Sequence, residues 1–175
     1  MMTVPLGGKK AAGRVALVDD QDFELVSQYR WHICEATRPG HDGGPYAVTT
    51  IRQSPGAIPG ALLMHTLITG WRRVDHRNHD GLDNQRANLR PTTDSQNMAN
   101  SRPRGNGTSR YKGVCWEGRR WRAGIKVNGR RRRLGNFVNE EDAARAYDAA
   151  ALAAWGEYAW LNFPQLRQAA LPPAG

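Results

Sequence analysis

The chain has 175 residues, 39% of them hydrophobic, with a mean hydropathy of −0.67 and a net charge of +9. That is enough for one ordinary domain or two small ones, and no run approaches the roughly 18 apolar residues of a membrane span. Two cysteines, Cys34 and Cys115, exclude a disulfide scaffold and a CxxC zinc knuckle; with a start that lacks the apolar stretch of a secretory signal, they predict a cytoplasmic protein.

In chain order, "RVALVD" predicts a short strand and "DFELVSQY" a helix opened by Asp20 or Asp22. "RWHICEA" and "PYAVTTIRQ" predict a hairpin with "TRPGHDGG" as its loop. "SPGAIPG" is a Pro/Gly break, and "ALLMHTLITG" predicts an apolar helix ended by Gly70, with His65 first a packed or hydrogen-bonded structural residue and, as the lesser alternative, one that lines the cleft. "WRRVDHRN" predicts a strand that ends in Asp75 and His76, followed by turn chemistry in "HDGLDNQ", where His79, Asp80 and Asp83 read as loop residues. "TTDSQNMANS" predicts a helix capped by a Thr or Asp, with Asn97 about one turn in. The stretch 101–109 reads as a polar linker.

Behind it, "YKGVCW", "WRAGIKV" and "RRRLGNF" predict three short strands, the last two joined by an Asn-Gly turn. "NEEDAARAYDAAALAAWGE" predicts a helix N-capped by Asn139, with a stripe of Ala143, Ala144, Tyr147, Ala150, Ala151 and Ala154 against the sheet. The charge is segregated. Residues 102–145 carry thirteen Lys/Arg against four acids, a surplus that equals the net charge of the whole chain. A neutral front and a basic back predict a polyanion partner for the back half.

The segment 74–97, "VDHRNHDGLDNQRANLRPTTDSQN", holds two His, four Asp and four Asn. Phosphodiester hydrolysis needs a base for the attacking water and a cation for the leaving oxygen. A histidine suits the first task and hard oxygen donors holding a divalent metal suit the second. Adjacent side chains on a strand diverge, so Asp75 can face a metal and His76 a water, while Asn88 either fixes the connection to the helix or orients the imidazole. The pattern Asp-His, then Asn88-Leu89, Thr92 or Thr93, Gln96 and Asn97 resembles the HNH endonucleases of the homing and phage-borne type. The resemblance implies a ββα-metal core, His76 as general base, Asp75 and Asn97 as ligands of one Mg²⁺ or Mn²⁺, and Asn88 as the middle residue of the signature.

The back half, through "YKGV", "RWRAGI", "LGNF", "EEDAARAYDAAA" and "LNFP", resembles the plant ethylene-response-factor (APETALA-type) DNA-binding domain. That implies a three-stranded antiparallel sheet in the DNA major groove, backed by one helix. Strand alternation itself puts Trp121, Ala123, Ile125 and Val127 on the inner face and Arg120, Arg122 and Lys126 on the outer. Adding Arg131, Arg133, Lys112 and Trp116 gives the expected DNA face. Cys115 and Gly124 stand where the plant domains usually carry Arg and Glu, so base preference does not transfer.

The expectation is an α+β chain. Residues 1–60 form an α/β extension of unassigned role, 61–100 the nuclease core, 110–164 the DNA-binding domain and 165–175 a tail. Its function is metal-dependent cleavage of double-stranded DNA, with no membrane or protein partner. A monomer would nick and a weak homodimer would cut both strands, because one base and one metal make one incision. The rival is a DNA-binding regulator whose nuclease core is inactive; an RNA binder is disfavoured because Trp121 is committed to the core.

Overall fold

The computed structural model describes residues 1–35, 44–51, 60–103 and 107–167. Most of the "TRPGHDGG" loop, the "SPGAIPG" break, residues 104–106 of the linker and the tail beyond 167 lie outside them. The chain is α+β and divides into two compact units, Met1–Thr92 and Thr93–Gly175.

In the first unit, β1 (Met2–Pro5) pairs antiparallel with β2 (Val15–Val18). The sequence pattern does not predict β1. A four-residue segment holds its place only by its ladder to β2 and by burying Val4, neither of which periodicity reports. Helix α1 (Asp20–Ser27) follows, then the hairpin of β3 (His32–Cys34) and β4 (Tyr46–Ile51), with β5 (Gly60–Leu63) on the other edge of β4. "ALLMHTLITG" is therefore not one helix. Its first half is β5, and only α2 (Met64–Thr69) is helical, ending at Gly70 in the left-handed conformation (φ 70°). A short apolar run fits a buried strand as well as a helix, and pairing with β4 decided. Strands β6 (Val74–His76) and β7 (Leu89–Pro91) form a two-stranded ribbon with Asp75 opposite Arg90 and His76 opposite Leu89.

A single core joins these pieces. Val4, Ala16, Val18, Val26, Trp31, Ile33, Ala47, Met64, Ile68, Leu82 and Leu89 bury against one another. The described residues among the first 60 thus share one interior with the turn after His76.

The second unit starts with α3 (Asp94–Asn100), capped by a Thr93–Gln96 capping box. The division falls at Thr92/Thr93, ahead of the expected linker, because α3 bonds to residues far along the chain. Trp160 N donates to Ala99 O (3.0 Å) and Trp155 Nε1 to Ser95 Oγ (3.3 Å). Strands β8 (Val114–Glu117), β9 (Arg120–Val127) and β10 (Arg130–Phe137) form an antiparallel sheet with β9 central. Helix α4 (Glu140–Trp155) packs Ala143, Ala144, Tyr147 and Ala151 on the sheet face that carries Val114, Ala123 and Ile125. Ala154 is exposed, contrary to the expected stripe, and Asp148 is fully buried instead. Its carboxylate accepts from Asn162 N (2.9 Å), Asn162 Nδ2 (3.0 Å) and Phe163 N (2.8 Å), which clasps the "LNFP" segment to the helix. A carboxylate with three N–H donors is the form in which a buried acid is tolerated.

Candidate functional site

Asp75 and His76 are adjacent on β6, and both are buried. Alternation sends them to opposite faces. On one face the Asp75 carboxylate meets its cross-strand partner: Arg90 Nε and Nη2 reach Oδ2 at 2.8 and 2.6 Å, and Arg90 is equally buried. On the other face the His76 ring lies 5.1 Å from the His65 ring of α2 and 5.8 Å from the Tyr46 ring of β4. Tyr46 in turn meets His65 edge-on at 5.7 Å. Side chains from β4, α2 and the turn after β6 therefore converge on one imidazole.

Asn84, with no exposed surface, faces that imidazole. Its Nδ2 donates to Leu82 O (3.2 Å), which turns Oδ1 toward His76 Nε2 in a long contact of 3.4 Å. An amide oxygen can only accept, so this contact favours the tautomer with the proton on Nε2.

Asn88 has another task. Its Oδ1 accepts from Asn78 N (3.0 Å) and its Nδ2 donates to Asp83 O (2.8 Å), stapling the 78–88 turn at two points. Of the two roles expected for it, fixing the connection is the one these bonds serve. Helix α1 holds the same turn. Asp22 takes a two-pronged contact from Arg86 (2.8 and 2.7 Å), and Asp19 accepts from Arg86 N (2.8 Å). His79 sits in the turn with φ 62°, as its loop reading requires. Asn97 belongs to the second unit and is exposed on α3.

Sequence reasoning missed Asn84 and Arg90 and understated His65. Nothing in a one-dimensional pattern marks a turn asparagine as buried, although cross-strand register would have found Arg90 once β7 was aligned with β6.

Burial pushes the His65 imidazole down to about 3, with the neighbouring His76 adding to the effect. His76 is lowered as well, chiefly by burial, against the bond to Asn84 and nearby aspartates, which raise it. Between pH 6.5 and about 3 the unfolded chain holds a proton on His65 that the folded chain does not. Stability therefore falls as pH drops through that window, by about 1.4 kcal/mol per pH unit where the difference is a full proton. Urea midpoints at pH 7 and 4.5 should show His65→Phe losing less stability than the parent; equal losses would refute the assignment.

In the second unit the register places Cys115, Glu117, Arg120, Arg122, Gly124, Lys126, Arg131, Arg133 and Asn136 on the sheet face turned away from α4. Two expected members are elsewhere. Trp116 pairs with Trp121 across the strands, rings 4.9 Å apart, on the α4 side, because it is two residues from inward-facing Val114. Lys112 precedes β8, and its ammonium caps α3, donating to Met98 O (3.1 Å), Ala99 O (2.6 Å) and Ser101 O (2.7 Å).

Comparison with known proteins agrees with both halves. Over 154 residues the chain is 28% identical to an uncharacterized HNH endonuclease of Acanthamoeba polyphaga mimivirus, covering 87% of this chain and 77% of that protein. It resembles an HNH endonuclease along most of its length. About a third of it also matches AP2-like ethylene-responsive transcription factors. One from Arabidopsis thaliana is 46% identical over 57 residues, 33% of this chain and 19% of its own length. One from Oryza sativa subsp. japonica is 45% identical over 69 residues, 34% of this chain and 11% of its own. The chain thus spans a fifth or less of these plant proteins. No protein-family model matches it. Among the described residues, no helix is long and apolar enough to cross a membrane.

Proposed function

We propose that the chain is a DNA endonuclease whose first unit hydrolyses a phosphodiester bond and whose β8–β9–β10 sheet binds duplex DNA. The observation that carries this reading is His76, set in a ring of Tyr46, His65 and Asn84 with its neighbour Asp75 held by Arg90. His76 Nδ1 takes a proton from the attacking water as its oxygen bonds to phosphorus and the P–O bond to the leaving oxygen breaks. The Nε2–H contact to Asn84 steadies the imidazolium that forms.

Asp75 supplies a hard carboxylate donor, the type that Mg²⁺ and Mn²⁺ take, and the HNH pattern assigns Asn97 as a second oxygen ligand. Among the described residues no group of three or more His, Cys, Asp or Glu side chains could hold a metal. Carboxylate and amide oxygens are donor types that Mg²⁺ takes alongside water. Such a cation, when bound, stabilises the developing charge on the leaving oxygen. Arg90 holds the Asp75 carboxylate in place.

The test is conversion of supercoiled plasmid by the full chain with Mg²⁺, with Mn²⁺ and with EDTA, beside Asp75→Asn. Open circles or linear product that require metal, and that disappear in the variant, support the reading. The buried Asp75–Arg90 pair favours a second reading, a DNA-binding regulator with a silent core. Intact DNA binding without cleavage under any metal, on plasmid carrying a sequence selected by the chain, would establish that one instead.

For the sheet, Arg131→Ala should weaken binding by about 1–3 kcal/mol if the side chain reads a base. If it contacts a phosphate, the salt slope should instead fall by about one unit. Binding that is flat with salt concentration would contradict an electrostatic interface.

A further inference from the structure

Residues 114–137 carry eight Lys/Arg and one acid, Glu117. That acid lies at the end of β8 on the outward face, among the arginines. Its Oε1 is 2.6 Å from Arg122 Nε and its Oε2 is 3.1 Å from Arg133 Nη2. Each guanidinium has a second contact: the same Arg133 Nη2 also donates to Asn136 Oδ1 (2.6 Å), and Arg122 Nη2 donates to Cys115 Sγ (3.1 Å).

Arg133 is on β10 and Glu117 on β8, so their pair crosses β9. Gly124 of β9 lies directly opposite Arg133 and adds no side chain to that part of the face. A Cβ at Gly124 would meet only Arg132 O, at an ordinary 3.5 Å.

Exposed ion pairs add little to stability, and a carboxylate on a face meant for a polyanion opposes binding to phosphates. What it gives is geometry. Arg122 stands in ion-pair contact with the carboxylate without hydrogen-bond alignment at Nε, and Arg133 is bonded to it through Nη2; both guanidiniums are thereby oriented before DNA arrives, which suits guanine contacts and lowers their appetite for any passing phosphate. We propose that Glu117 is a specificity-determining residue: through Arg122 and Arg133 it weakens sequence-independent binding and sharpens base discrimination. The proposal rests on the reading that this face binds duplex DNA.

The test uses the full chain and two duplexes, one enriched from a random-sequence library by the parent protein and one a scramble of it. Glu117→Gln should bind the scramble several-fold tighter, and the ratio of enriched to scrambled affinity should fall about tenfold, the size of one bidentate base contact. Asn136→Ala, which releases the other contact of Arg133 Nη2 without touching Glu117, should lower the ratio in the same direction. A ratio unchanged in both variants, or no enrichment by the parent, overturns the proposal while the DNA-face reading stands. A parent chain that binds neither duplex overturns both.

Discussion

Replacing His76 with alanine is expected to cut metal-dependent plasmid cleavage by about 10²–10⁴-fold, the contribution of a positioned general base, while duplex affinity stays within a few-fold. Affinity should persist because the basic strands belong to the second unit, whose core shares no residue with the core around His76. Two controls make the result decisive. The ring removed is buried against Tyr46 and His65, so the melting transition of the variant must be measured beside its activity. The Asp75 comparison should be Asp75→Asn rather than alanine, because alanine would strand a buried Arg90 guanidinium at a cost of about 3–5 kcal/mol. Cleavage within tenfold of the parent by a folded His76→Ala protein would move the base to another group.

The second large effect is on stability. Gly113 has φ +78°, and a Cβ there would run into the Tyr147 ring of α4. Left-handed backbone costs an alanine about 1–2 kcal/mol and overpacking a further 1–3 kcal/mol or so. Gly113→Ala should therefore destabilise the second unit by roughly 2–5 kcal/mol and reduce DNA binding with it. Gly118 is the control. It has φ +64°, but a Cβ added there would meet nothing within 4 Å, so Gly118→Ala incurs the backbone cost alone. Denaturant unfolding followed by tryptophan fluorescence should rank the two variants in that order, and equal losses would show that Tyr147 yields.

How much of the site is legible in the sequence varies residue by residue. Asp75 and His76 stand together at the end of a strand, as the sequence implies, because "VDH" followed by a run of Asn, Asp and Gly leaves little other choice. Asn88 is recognisable as a signature residue, but its bonds go to the turn and not to the imidazole. The residue that meets His76 is Asn84, which differs from its neighbours only in being buried. On the sheet, strand alternation sorts Arg122 and Lys126 from Ala123 and Ile125 correctly. The same rule extended to β8 puts Trp116 inside and Glu117 outside, once the register with β9 is known.

By itself the sequence determined the α+β class, the three-stranded basic sheet with its helix, and the paired Asp75–His76 motif. Each of these rests on local information: turn residues, alternation of two, helical periodicity and the charge of a short window. Only the tertiary structure decided that β5 is a strand, that Lys112 caps a helix, that α1 anchors the turn after His76 through Asp22 and Arg86, and that one carboxylate sits between two arginines of the sheet. Those outcomes depend on contacts between distant residues, such as Asp22 and Arg86, 64 positions apart. Hydrogen-bond satisfaction and burial settle such contacts, and neither is a property of any stretch of chain read alone.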